Sequence, residues 1–131
     1  MNRVVGRKWL KQAQHDLVLA EANIGIKGYD VACFLAHQSV EKLLKAIFAF
    51  EGKPIPRSHY IDELARSLNV AEPVLVHVNG LSADYMLARY PDVSDAVPYE
   101  QYSEAVAREK VRAAKRVFEL LQDRYAQRQD D

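Results

Sequence analysis

One stretch narrows the folds open to this chain more than any other. Residues 33 to 50, Cys-Phe-Leu-Ala-His-Gln-Ser-Val-Glu-Lys-Leu-Leu-Lys-Ala-Ile-Phe-Ala-Phe, repeat their apolar side chains at helical spacing. Wound at about 100° per residue, Cys33, Ala36, Val40, Leu43, Leu44 and Ile47 share one broad face. Gln38, Glu41, Lys42 and Lys45 fall on the opposite strip, flanked on its N-terminal side by Val31, Phe34 and Leu35. A helix that is apolar nearly all round at its start and carries one narrow polar stripe later predicts the central helix of a bundle. That stripe is where any chemistry is expected to be read out.

With 131 residues the chain suits one domain over 1–131, long enough to bury a single core. Hydrophobic residues make up 49% and charged residues 27%, and the formal net charge is zero, so overall charge selects no partner. Cys33 has no mate in the chain and lies on the apolar arc, which predicts an inert core thiol and suits a reducing compartment. No apolar run approaches the roughly 20 residues of a membrane span, and the basic N-terminus lacks a signal-peptide apolar segment. The expectation is a cytoplasmic protein without membrane attachment.

Along the chain, Trp9, Ala13, Leu17, Ala20 and Ile24 predict a first helix from about Arg3 to Ile24, stopped where Gly25 and Gly28 loosen the backbone. Asp30 favours the start of the second helix, which runs to about Glu51 and stops at Gly52. So short a connection predicts an antiparallel pair. Two prolines in Lys-Pro-Ile-Pro-Arg force an extended linker. Ser58 is the expected N-cap of a short third helix burying Ile61, Leu64, Ala65 and Leu68. Pro73 opens a fourth, with Val74, Leu75, Val78, Leu81 and Tyr85 inward, that must end by Tyr90. Residues 91 to 102 read as a connection without secondary structure, of a length that is often functional. Ser103 then caps a last helix with Val106, Ala113, Val117, Leu120 and Leu121 inward and a basic outer face, and residues 126–131 are expected to fray. No strand-like alternation is present. The fold class is therefore all-α, an antiparallel up-and-down bundle of about five helices.

Several ordered segments, from Trp9 to about Leu121, resemble the HEPN family (higher eukaryotes and prokaryotes nucleotide-binding) in its small stand-alone prokaryotic form. They are Ala13, Asp16 and Leu17; Gly28-Tyr29-Asp30; the block from Ala36 to Ala46; Pro56 to His59; and Ala88-Arg89-Tyr90-Pro91-Asp92. The resemblance implies a helical bundle that forms a homodimer, a cleft lined by polar residues, and a minimal nucleotidyltransferase encoded beside it as the partner of a toxin–antitoxin-like pair. Many HEPN proteins resemble ribonucleases that place an Arg and a His about four to six residues apart on one helix face. This chain departs from that pattern: Arg57 and His59 are too close, and no histidine follows Arg89.

The candidate ligand-binding residues are Gln38, Glu41, Lys42, Lys45, His59, Arg89 and Tyr90. Lys45 offers a point charge to a phosphate, Gln38 and Glu41 hydrogen bonds to a base or ribose, and Arg89 with Tyr90 a fork and a stacking face. Each has a plainer reading. The stripe can be a solvated face of ion pairs, His59 a turn cap, and Arg89 the partner of Asp92 or Asp95. His15 and His77 have no companion at metal-ligand spacing, so no metal and no cofactor is expected, and no catalytic residue is assigned. The function expected is a dimeric binding module for a nucleotide or nucleotide-like ligand. A metal-independent ribonuclease acting on RNA through His59, and a pure scaffold, are the alternatives.

Overall fold

A computed structural model describes residues 2–84, 88, 90–92 and 97–126. Among these residues there are seven helices and no strand: α1 (Arg3–Gly25), α2 (Tyr29–Phe50), α3 (Ile61–Ser67), α4 (Glu72–Leu81), α5 (Pro98–Gln101), α6 (Glu104–Leu120) and α7 (Gln122–Tyr125). The architecture is the expected antiparallel bundle, with two single-turn helices beyond the five foreseen. No helix of the described residues is long and apolar enough to cross a membrane.

α2 is the axis of the molecule and touches each of the other six helices of the described residues. Cys33, Ala36, Val40, Leu43, Leu44 and Ile47 are fully buried, as their spacing requires. α1 lies antiparallel against it: Asn2 N–H donates to Ala49 O near one end of the pair, and Asp16 meets Gln38 near the middle. Gly6 permits the close approach at the first of these points, since a Cβ there would stand 2.5 Å from the Phe50 ring. The turn between the two helices is made differently from expectation. The left-handed residue is Lys27 (φ 63°) and not a glycine, whereas Gly52 (φ 72°) does end α2 as foreseen. At Gly28 a Cβ would crowd the Asn23 side chain at 3.0 Å, so compactness and not backbone freedom is the use of that glycine.

The later elements correct the sequence reading in three places. α3 starts at Ile61 with Tyr60 at the N-cap; Ser58 acts one turn earlier, accepting from Tyr60 N–H at 3.0 Å and donating to Glu63 at 3.1 Å. α4 ends at Leu81, sooner than expected, with Gly80 the helix-weakening residue of its last turn, and Tyr85, expected inward on this helix, lies outside the described residues. The 91–102 connection is not wholly irregular, because Pro98 supplies the first turn of α5. Ser103 does cap α6, accepting from Val106 N–H at 3.2 Å, and α6 gives way at Leu121 to the separate turn of α7. Arg124 then clamps the C-terminal end, with both oxygens of Glu51 and the carbonyl of Leu68 within 2.9 Å. Residues 127–131 of the expected frayed tail lie outside the described residues.

Where α4, α5 and α6 meet, Asp84 is buried to 2% exposure and accepts from the Tyr102 hydroxyl at 2.7 Å. Lys110 stands 3.4 Å from its other oxygen and also donates to Gly80 O. Burial pushes the Asp84 carboxyl above its ordinary range, against the opposing pull of Tyr102 and Lys110. Burial, followed by the charge of Asp84, pushes the Cys33 thiol up to about 12, which keeps it protonated and unreactive.

Candidate functional site

The antiparallel packing of α1 on α2 sets the inner edge of α1 against the polar stripe of α2. Asp16 lies three residues after Ala13 and four before Ala20, both buried, and so falls on the packed side of α1. Its carboxylate is 2% exposed and takes its hydrogen bonds from the protein. Gln12 donates to Oδ1 at 3.0 Å; Gln38 donates to Oδ2 at 3.1 Å, and Lys42 Nζ stands 3.0 Å from that same oxygen. Donors from both helices converge on one acid.

One turn further along α2 a second knot forms. Lys45 Nζ lies 3.1 Å from Glu41 Oε2, and His59 Nδ1 lies 2.9 Å from that oxygen. The Lys45 ammonium also stands over the Trp9 ring, 5.6 Å from its centroid. The Lys45 and Glu41 side chains are only 6% and 10% exposed, while His59 is 54% exposed. The reading of Glu41 and Lys45 as a solvated strip is thereby overturned. An ion pair taken so far out of water gains little net stability over an apolar pair, although removing one partner is costly. His59 is held on Glu41 rather than capping α3, whose N-cap is Tyr60.

Around these two knots opens a cavity of about 230 Å³, lined by Trp9, Phe34, His37, Gln38, Glu41, Lys42, Lys45 and His59. Five of the seven candidate residues, Gln38, Glu41, Lys42, Lys45 and His59, are brought together here. Tyr90 is exposed and does not line the cavity, and Arg89 lies outside the described residues. Sequence reasoning missed the α1 contribution. Helical spacing places Trp9 in the core and gives Asp16 no role in a site, although an acid spaced to the buried face of α1 is the signal that could have marked it. His37 is fully buried and also forms part of the wall.

A larger groove of about 640 Å³ runs between α4 and α6, past Val76, His77, Lys110, Arg112 and Arg116. Its cations are mostly neutralised, Lys115 by Glu21 at 2.8 Å, Arg116 by Glu119 at 2.8 Å and Lys110 by Asp84. All these α6 cations are exposed or partly exposed, and such pairs are the ordinary dress of a solvated helix. The α1–α2 cleft is the better site because Asp16, Glu41 and Lys45 are buried there and the polar groups around them converge. Among the described residues, no group of three or more His, Cys, Asp or Glu is placed to hold a metal ion.

These features define a class, a small all-helical bundle with a polar and partly buried cleft between its first two helices. Within that class the chain belongs to the HEPN domain family, whose pattern matches residues 7–124. The crystal structure of TT1696 from Thermus thermophilus is similar over 95% of this chain and 99% of that one, at 29% identity and a TM-score of 0.86. ST0689, an archaeal HEPN homologue, is 34% identical over 90% of this chain and 95% of its own, with a TM-score of 0.78. A HEPN domain protein of Thermotoga maritima shares the fold at 22% identity, with a TM-score of 0.70 over 88% of this chain and 95% of that one. No protein of curated function matches the chain in sequence.

Proposed function

We propose that the chain is a non-catalytic binding module that holds a nucleotide or nucleotide-like ligand in the α1–α2 cleft. It acts as a homodimer beside a separately encoded minimal nucleotidyltransferase, in a toxin–antitoxin-like pair. The observation that carries the ligand half is the buried Lys45–Glu41–His59 knot bordering a cavity with Trp9 and Phe34 in its walls. Buried ion pairs are poor stabilisers, so a pair facing an open cavity is better explained by a ligand than by the fold. Val18, Leu19 and Val31 are exposed apolar residues on the same two helices, side chains that a second copy could cover. Calorimetry with ATP, GTP and the nucleoside monophosphates tests the ligand half; absence of heat for all of them, with and without the partner enzyme, sinks it.

One contact favours a second reading. His59 against Glu41 at 2.9 Å is the geometry of an oriented acid–base group, which a metal-independent ribonuclease would need. That reading requires RNA cleavage by the purified protein and its loss in His59→Ala. Against it, the same Glu41 oxygen also serves Lys45, and no Arg stands at the family's catalytic spacing from His59.

A further inference from the structure

The charge balance of the cleft goes further than its shape. Its two lysines each meet a carboxylate, Lys42 with Asp16 at 3.0 Å and Lys45 with Glu41 at 3.1 Å, and both acids are more than nine-tenths buried. The pairing is not easily undone. If Lys42 swung to a ligand, Asp16 would keep only the neutral amides of Gln12 and Gln38. A site for phosphate offers spare cations or the N-terminus of a helix. Here the lysines are already neutralised, and the wall is the middle of α2 rather than its start.

The polar ends that remain are of another kind. A carboxylate only accepts, so the Gln38 amide nitrogen must face Asp16, and its carbonyl oxygen is the end left for a ligand's N–H group. Trp9 and Phe34 provide aromatic surface. The volume, about 230 Å³, is below the roughly 300–1,000 Å³ of sites that enclose a drug-sized molecule, and so accommodates one ring system rather than a whole nucleotide.

Building on the ligand reading above, we infer that the cleft recognises an uncharged heteroaromatic ring bearing an amino group, the base of a nucleoside. Any phosphate attached to it stays in solvent and adds nothing to affinity. The amino group donates to the Gln38 carbonyl and the ring packs against the aromatic walls.

Calorimetry on the full chain with adenosine, AMP, ATP, inosine and inorganic triphosphate tests this. Adenosine, AMP and ATP are expected to bind within about threefold of one another, with little dependence on salt, and triphosphate alone to give no heat. Inosine, which lacks the exocyclic amine, is expected to bind about tenfold more weakly. Trp9→Phe, which keeps an aromatic wall, should retain binding that Trp9→Ala loses, with unchanged helicity in both. ATP binding more than about tenfold tighter than adenosine, weakening as salt rises, overturns the inference and leaves the nucleotide reading standing. Equal binding of inosine and adenosine overturns the Gln38 assignment. No heat from any nucleoside or nucleotide removes both the inference and the reading beneath it.

Discussion

Two acids in this molecule are buried to the same 2% exposure, Asp16 between α1 and α2 and Asp84 where α4, α5 and α6 meet. Asp84 is closed in by a tyrosine hydroxyl and a lysine, and it fastens the short α5 region and α6 to the end of α4. Asp16 is instead one of a pair of knots, Asp16–Gln38–Lys42 and Glu41–Lys45–His59, beside an open cavity. Depth of burial therefore does not separate the acid of a closed junction from the acid of a candidate site. The neighbouring space does, together with polar groups that converge on it.

The sharpest way to break this comparison is at Glu41. Glu41→Ala leaves the Lys45 ammonium deep in the protein without its carboxylate, at an expected cost of about 3–5 kcal/mol in urea unfolding, and ligand heat should vanish with it. Loss of less than about 1 kcal/mol would mean that Lys45 escapes to water and that the knot is superficial. A smaller effect is expected on the structural side. Tyr102→Phe deprives Asp84 of a donor at 2.7 Å and should cost about 2 kcal/mol, with ligand calorimetry unchanged. If this variant loses binding, the two regions are coupled and the contrast fails.

The smallest expected effect is a slope. Burial raises the folded-state value of Asp84 above the ordinary 3.8, so the folded chain binds that proton more tightly than the unfolded chain. Its contribution to stability is then greatest below 3.8 and declines as pH rises through the raised native value, becoming flat above it. Asp84→Asn removes the titration. The stability difference, wild type minus variant, should shrink as pH rises across that window in parallel urea titrations. A difference that instead grows with pH would place the Lys110 ion pair, not burial, in control of the carboxyl.

Much of this is legible in the sequence. The burial of Cys33, Ala36, Val40, Leu43, Leu44 and Ile47, the stop at Gly52, the proline in the first turn of α4 and the Ser103 cap all follow from local chemistry, because each depends on neighbours a few residues away. Five cleft residues are also legible, as a polar stripe on α2 and a histidine after a proline-stiffened linker. Their burial is not. Glu41 and Lys45 look solvated on a helical wheel, and only the placement of Trp9, some 36 positions before Lys45, and of His59 encloses them. Asp16 escapes notice for the same reason, since its meaning lies in Gln38 and Lys42 across the helix pair.

The short turn at Ile26–Gly28 has a consequence for the order in which the molecule is made. It lets α1 and α2 meet through local contacts, the kind that form fastest in a folding chain. Every residue lining the cleft falls between Trp9 and His59, so in amino-to-carboxyl synthesis all its walls are made before α4 is. The walls of the pocket are thus complete before any residue of the Asp84 junction, which draws on Tyr102 and Lys110, has been added.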